Sequence, residues 1–349
     1  MSRSDLLRLI EGGEPIINAY FAGEDLSGID LAGAIIEGSS FRGANLTGAR
    51  FKEALITNSD LSGAIFDGAN LHHAGFFRCE LPGSSFQGAD LTIAKFIESD
   101  VEDCNFRGAT TAVLNFVDCA ADGVSFAGTF LDRCNFVKTR LGKADLSGAR
   151  LVRVNIVESD LRTANLEGMI WDKVVLHQVN LAGRSLAGLD MRMTQIMDAS
   201  LEGCDFSGTT LDQSNFRLSR LDGARFDGAS LKNVLFVEAK LVKTTFCRAD
   251  LLQAIFVDAE PMGADFTRAK LYQTTWHRAK CVGARFIEAD LTYADFSWAD
   301  LSATDFRGAS LFRARFHSTK EDGANFPSRA LALGDDEELA RAERFQSPY

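Results

Sequence analysis

The chain has 349 residues and a formal net charge of −11, from 37 Lys+Arg against 48 Asp+Glu, with five His, seven Cys and five Pro. No apolar run approaches the roughly eighteen residues of a membrane span, seven cysteines are too few and too oddly numbered for a disulfide-stapled domain, and 46% hydrophobic residues exclude a disordered acidic tail. The opening MSRSDLLRLIEGGEP lacks the apolar stretch of a signal peptide, so the expected location is a reducing cytoplasm, with export by a dedicated secretion system as the alternative.

In chain order, Ser4 before Asp5-Leu6-Leu7-Arg8-Leu9-Ile10, with Gly12-Gly13 behind, predicts a short N-capped helix, so that residues 1–20 form a capping helix and lead-in. From Phe21 to Phe326 a large apolar residue then recurs every five positions without insertion or deletion. Of these 62 positions 57 are Leu, Phe, Ile, Trp, Met or Val, the exceptions being Thr111, Ala121, Pro261, Cys281 and Glu321. Twenty-three of the 27 Phe fall in this phase, where chance would place about one in five. A period of five fits neither a helix nor an alternating strand. Four five-residue sides per coil do fit it, with the large residue and a small one two positions earlier facing inward, and Gly closing blocks such as ANLTG (44–48) and ADLSG (144–148). Coils stacked about 4.8 Å apart would make an all-β solenoid of about fifteen coils, a rod on the order of 70 Å long. Beyond the array Pro327 breaks the repeat, and Asp335 with Glu338 predicts a capped helix from about 336 to 345, so that 327–349 reads as a helical cap or dimer contact with a tail.

These A(D/N)Lxx blocks resemble the pentapeptide-repeat family over residues 21–326. The resemblance implies a right-handed quadrilateral β-helix with short terminal helices. It leaves function open, since the family includes topoisomerase-binding DNA mimics and secreted effectors.

The residues themselves offer no enzyme. Cys79, Cys104, Cys119, Cys134 and Cys204 stand at the small inward corner, Cys281 replaces an inward Leu, and only Cys247 faces outward. His72 and His73 have no companions for a four-ligand site. His177, His277 and His317 share one face, the first two five coils or roughly 24 Å apart, too far to share a metal. No phosphate loop, nucleophile elbow or zinc signature is present, so neither a catalytic residue, a cofactor nor a metal is expected.

Twenty residues return the chain to the same face, which sorts outward residues into columns. One column is mainly apolar: Phe77, Ile97, Val117, Val137 and Val157, then His177, Met197 and Arg217, then Val237, Val257 and His277. It reads either as an exposed stripe that binds a partner or as β-branched stacking that only stiffens the coil. Beside it, Asn115, Asn135 and Asn155 are placed for an amide ladder. Residues 1–132 hold 19 acids and 8 bases, which accounts for the whole net charge. Asp60, Glu80 and Asp100 stack on one face there, joined by Glu102, Asp103 and Asp122 in an acidic face of like charges about 5 Å apart.

Residues 166–200 break the pattern: Phe leaves the inward set between Phe136 and Phe206, and Met169, Arg184 and Leu189 take corner positions, which predicts a local bulge or rotated coil. The expected function is a non-enzymatic scaffold for a protein partner. One alternative is an acidic DNA mimic acting on a type II topoisomerase such as DNA gyrase, as the resemblance suggests. The other is an accessory or cargo protein of a bacterial secretion system. Direct nucleic-acid binding and membrane insertion are not expected, and homodimerisation would run through the C-terminal segment.

Overall fold

Each five-residue block folds as one turn and one short extended step. In the block from Phe41, the Ala44 N–H donates to the Phe41 carbonyl at 2.9 Å across a turn whose third residue, Gly43, has φ +62°. A positive φ at that place is the requirement of a type II turn, which is why glycine recurs there. The next step is bonded to the neighbouring coil, as where Phe41 N–H meets the Asp60 carbonyl at 2.7 Å and Asp60 N–H meets the Ser39 carbonyl at 3.0 Å.

The computed structural model describes residues 2–344; positions 345–349, where the expected C-terminal helix was to end and the tail to begin, lie outside the described residues. The chain divides into two compact units, Met1–Asn180 and Leu181–Tyr349. Unit 1 opens with helix α1 (Arg3–Glu11) and contains β1 (Ile16–Ile17), β2 (Ile35–Glu37), β3 (Leu55–Thr57), β4 (Gly75–Phe77), β5 (Lys95–Ile97), β6 (Asn115–Val117), β7 (Phe130–Asp132), β8 (Asn135–Val137), β9 (Arg150–Val152), β10 (Asn155–Val157), β11 (Ile170–Asp172) and β12 (Val175–His177). On one face β1-β2-β3-β4-β5-β6-β8-β10-β12 pair in parallel, and on another β11-β9-β7, with partners 20 residues apart, as in Phe76↔Phe96 and Trp171↔Leu151. Unit 2 contains β13 (Gln195–Met197) and α2 (Glu337–Glu343), and its register runs through single-residue bridges from Ser185↔Asp205 to Asp305↔Asn325. The fold is therefore the expected parallel β-solenoid. Extended strands mark about nine turns among the described residues rather than fifteen, because a corner every five residues leaves few consecutive residues extended.

The inward residues build the core as stacks of rings. Phe66 and Phe86 stack 4.8 Å apart with nearly parallel planes, Phe76 and Phe96 4.7 Å, and the two stacks meet edge to face, as at Phe76–Phe86 (6.3 Å, 86°). The ring spacing equals the spacing of paired strands, so every coil adds one layer to each stack. Unit 2 repeats the arrangement, with Trp276 stacked on Phe256 at 4.0 Å. Of the five exceptions to the pattern, Thr111 is buried and donates its hydroxyl to the Phe130 carbonyl at 2.7 Å.

Where glycine is missing at the turn, other residues accept the left-handed conformation, among them exposed Leu218 at φ 63°. Leu218→Gly should therefore raise the stability of unit 2 by about 0.5–1 kcal/mol, since relief of left-handed strain outweighs the entropy of an added glycine. Urea denaturation of the two proteins side by side checks this.

The ends differ from expectation in detail. Helix α1 is capped by Ser2, not Ser4: Ser2 and Asp5 form a reciprocal capping box, and Leu6 is fully buried. The N-cap moved because Asp5, not a later acid, stands three residues past a serine. Helix α2 is capped by Asp336, which accepts from Glu338 and Leu339, while Asp335 instead accepts from the Ser318 N–H at 2.8 Å. The core of unit 2 ends under Arg329, whose guanidinium lies 4.5 Å from the Phe316 ring and 4.4 Å from the Phe326 ring and pairs with Glu321 at 2.7 Å. Glu321, an exception to the apolar period, thus holds a cation over the last two rings.

No bulge forms at Arg184. Gly183 N–H still meets the Glu202 carbonyl at 2.8 Å and Leu186 N–H the Asp205 carbonyl at 2.7 Å. Arg184 and Leu189 are half-buried instead of inward, and Met169 is buried. Side-chain displacement absorbs the excess volume while the bonds from this coil to the following one stay intact. The division between the two units, at Asn180/Leu181, falls within this same 166–200 stretch.

Candidate partner-binding surface

The strands of unit 1 alternate exposure, so β2 reads exposed, buried, exposed through Ile35, Ile36 and Glu37. Two outward columns therefore flank each inward residue. The first is the apolar column: Thr57, Phe77, Ile97, Val117, Val137 and Val157 stand in direct register on successive strands. All are half-buried, as are Val237 and Val257 in unit 2, a correction to the exposed stripe expected. Neighbours one strand spacing above and below cover much of each side chain.

On this face the more exposed apolar residues stand at and beside its N-terminal end, Ile17 at 50%, Ile35 at 52% and Leu55 at 39%, while Phe130 (52%) and Ile170 (55%) are exposed on the other sheet. Sequence reasoning passed over Ile35 and Leu55, although their place just before an inward residue marks them as outward. Between the two columns lies a groove of about 430 Å³ lined by Leu55, Thr57, Asn58, Phe77, Arg78, Ile97 and Glu98. One edge is an ion pair, Arg78 Nε to Glu98 Oε2 at 2.8 Å, and the carboxylate holds the guanidinium above its usual pKa range.

The acidic residues divide into two sets. Asp60, Glu80 and Asp100 are bridged in sequence. Asp60 accepts from the Ser62 N–H (2.9 Å) and hydroxyl (2.6 Å), and Asp100 from the Glu102 N–H at 2.9 Å. Among the described residues none of the three forms an ion pair. Glu102 and Asp122, by contrast, converge on Arg140 at 2.7 and 3.1 Å. Their hydrogen bonds, Glu102 first, raise the pKa of that guanidinium. The expected acidic face of six carboxylates is thus partly neutralised, because Arg140 reaches back over two coils. Asp103 is exposed in a turn with φ 55°.

The cysteines sit where sequence reasoning places them. Cys79, Cys104, Cys119, Cys134, Cys204 and Cys281 are buried, and Cys247 is half-buried. Desolvation pushes Cys79, Cys119 and Cys204 up to about 11 and Cys134 to about 12, and drives Cys104 and Cys281 higher still. Cys247 is raised to about 11 by burial and by Asp265 and Asp227, the reverse of an activated nucleophile. Among the described residues no cluster of three His, Cys, Asp or Glu is placed to hold a metal, and no helix is long and apolar enough to cross a membrane. The amide ladder is formed: Asn135 donates to Asn115 at 2.6 Å and Asn155 to Asn135 at 2.7 Å.

His317 is the residue whose role sequence reasoning missed. It is fully buried. The Asp336 N–H donates to its Nδ1 at 3.1 Å, which leaves Nε2 to face Glu343 Oε2 at 3.3 Å. Trp298 also donates to Glu343, at 2.8 Å, and its ring meets His317 edge to face. These contacts fasten α2 to the side of its own unit, and no spacing in the sequence announces them.

Eight segments, at residues 17–48, 25–63, 44–81, 69–108, 115–153, 131–168, 199–236 and 277–308, match the family model described as pentapeptide repeats. No curated protein matches. Among solved structures, a trypsin-treated form of QnrB1, a plasmid-mediated fluoroquinolone resistance protein, is 16% identical, with 61% of this chain and 91% of that chain covered and a TM-score of 0.36. HetL, a pentapeptide-repeat protein involved in heterocyst differentiation regulation in the cyanobacterium Nostoc, is 20% identical over 90% of this chain and 96% of its own, with a TM-score of 0.27. A pentapeptide-repeat protein of the Arabidopsis thaliana thylakoid lumen is 25% identical over 46% and 76%, with a TM-score of 0.12. With its five-residue period, its ringed core and matched repeats over more than half of its length, the chain belongs to the pentapeptide-repeat family.

Proposed function

We propose that this protein is a binding scaffold without chemistry of its own, and that it presents the outward columns of unit 1 to a protein partner. The observation that supports this reading is the face of β1–β6, where Ile17, Ile35 and Leu55 stand 39–52% exposed beside the apolar column. The coil's core needs none of these side chains, since its rings lie wholly inward, and their apolar surface, next to the groove walled by Phe77 and Ile97, is free for a partner. The potential nucleophiles and ligands point the same way: six thiols are buried as packing and His317 is consumed in fastening α2.

Affinity capture tests the proposal. A partner is expected to be retained by the wild-type chain and lost from a Val117→Glu/Val137→Glu variant whose circular dichroism is unchanged. A partner held equally by both removes the face from consideration. Topoisomerase subunits captured by the wild type, and lost on reversing Asp60, Glu80 and Asp100, would instead favour DNA mimicry of the gyrase type. The neutralisation of Glu102 and Asp122 by Arg140 weighs against that alternative. The contacts of Glu343 with Trp298 and His317 support an intrachain cap rather than a dimer contact for α2.

A further inference from the structure

The groove bounded by Leu55, Phe77 and Ile97 arises from one missing side chain. Along its column the outward residue changes from Leu55 to Gly75 to Lys95 on paired strands. The ring of Phe77 lies in the space that a side chain at position 75 would take: a methyl group on Gly75 would stand 2.5 Å from Phe77 Cε2. Phe77 thus lies along the sheet rather than standing off it, and with Leu55 and Ile97 it forms an apolar wall to a volume of about 430 Å³. That is the scale of pockets that enclose a large apolar group.

Two residues past Arg78 and Glu98 along the coil comes the column Asp60, Glu80, Asp100. Its members are bridged strand to strand, and none is ion-paired among the described residues. An apolar recess with three carboxylates in a row on the adjoining face, just past the corner at Ser59, Cys79 and Ser99, is complementary to a partner that carries apolar and cationic side chains together. The same carboxylates repel anionic lipid headgroups and nucleic acid. They also disfavour a second copy of this chain through a two-fold contact, which would set the acidic column against itself.

We infer that this groove receives a large apolar side chain from an extended, basic segment of a partner protein, with lysine or arginine side chains of that segment lying against Asp60, Glu80 and Asp100. The inference rests on the scaffold reading above and names the class of partner for it. Affinity is expected to come from the buried apolar group, and salt sensitivity and orientation from the carboxylates.

Selection of a random-peptide phage library on the immobilised full chain tests this. Enriched peptides should carry Leu, Ile or Phe flanked by Lys or Arg. A synthetic peptide of the enriched sequence should lose about tenfold or more in affinity on Ile97→Asp and on Glu80→Lys, and be unaffected by Val257→Asp in unit 2. Glu80 is exposed, so its reversal leaves the core untouched and keeps the test valid even if Ile97→Asp loosens the coil. Enrichment of acidic or uncharged peptides, absence of enrichment, or binding indifferent to Glu80→Lys would each overturn the inference. If a captured protein is nevertheless lost with Val117→Glu/Val137→Glu, the scaffold reading stands while this groove falls.

Discussion

Truncating Phe96 to alanine should lower the stability of unit 1 by about 3–5 kcal/mol, the range for deleting a buried ring. Phe96 is fully buried, stacked on Phe76 at 4.7 Å and on Phe116 at 4.9 Å, and met edge-on by Phe86 and Phe106. Its loss removes one layer from a continuous stack. The inter-coil hydrogen bonds on either side hold the backbone spacing, so the cavity has little freedom to collapse. Leucine at the same site preserves most of the volume and should recover more than half of the loss, as leucine already occupies many inward positions. Urea denaturation followed by circular dichroism gives both values; a loss below about 1 kcal/mol for alanine would mean that the ring stack is not the source of cohesion.

Alkaline pH should destabilise this protein from about pH 9 upward, and the cysteines should be a main cause. In the fold Cys79, Cys119 and Cys204 are raised to about 11 and Cys134 to about 12, against about 8.5 for a solvated thiol. Below that solvated value both states hold the proton and stability is unaffected. Above it the unfolded chain releases protons that the folded chain retains, so stability falls as pH rises toward 11, by about 1.4 kcal/mol per thiol per pH unit. Several thiols acting together make the effect large between pH 9 and 11. Replacing Cys104 and Cys134 with alanine, the usual occupant of that corner, should shift the alkaline midpoint upward. Thermal melts across pH 8–11 read it directly, and identical midpoints for the two proteins would show that the thiols do not control alkaline stability.

Much of the fold was legible in sequence because one period carries it. A residue at the inward phase can only face the core once the turn repeats every five residues, so Phe76, Phe96 and Phe116 could be stacked on paper. The buried thiols and the Asn115–Asn135–Asn155 ladder follow from the same arithmetic, since positions 20 apart are neighbours across paired strands. The helix caps were displaced by one or two residues, to Ser2 and Asp336, because several serines and acids competed for each cap.

The candidate surface was legible only in part. Column membership placed Phe77, Ile97 and the valines on one face, and Asp60, Glu80 and Asp100 on another. It did not show that close stacking half-buries the apolar column, nor that Arg140 spans two coils to reach Glu102. The groove depends on where the Phe77 ring turns, and that is decided by the empty place at Gly75.

By itself, then, the sequence determined the coil, its inward core and the sorting of outward residues into columns, since these follow from backbone periodicity and the exclusion of apolar groups from water. Only the tertiary structure decided which outward side chains meet across coils: Arg329 over the final rings, Glu343 on His317, Arg140 between two carboxylates. Those contacts depend on side-chain reach and rotamer, which a repeat period constrains for the residue that points inward and leaves open for the one that points out.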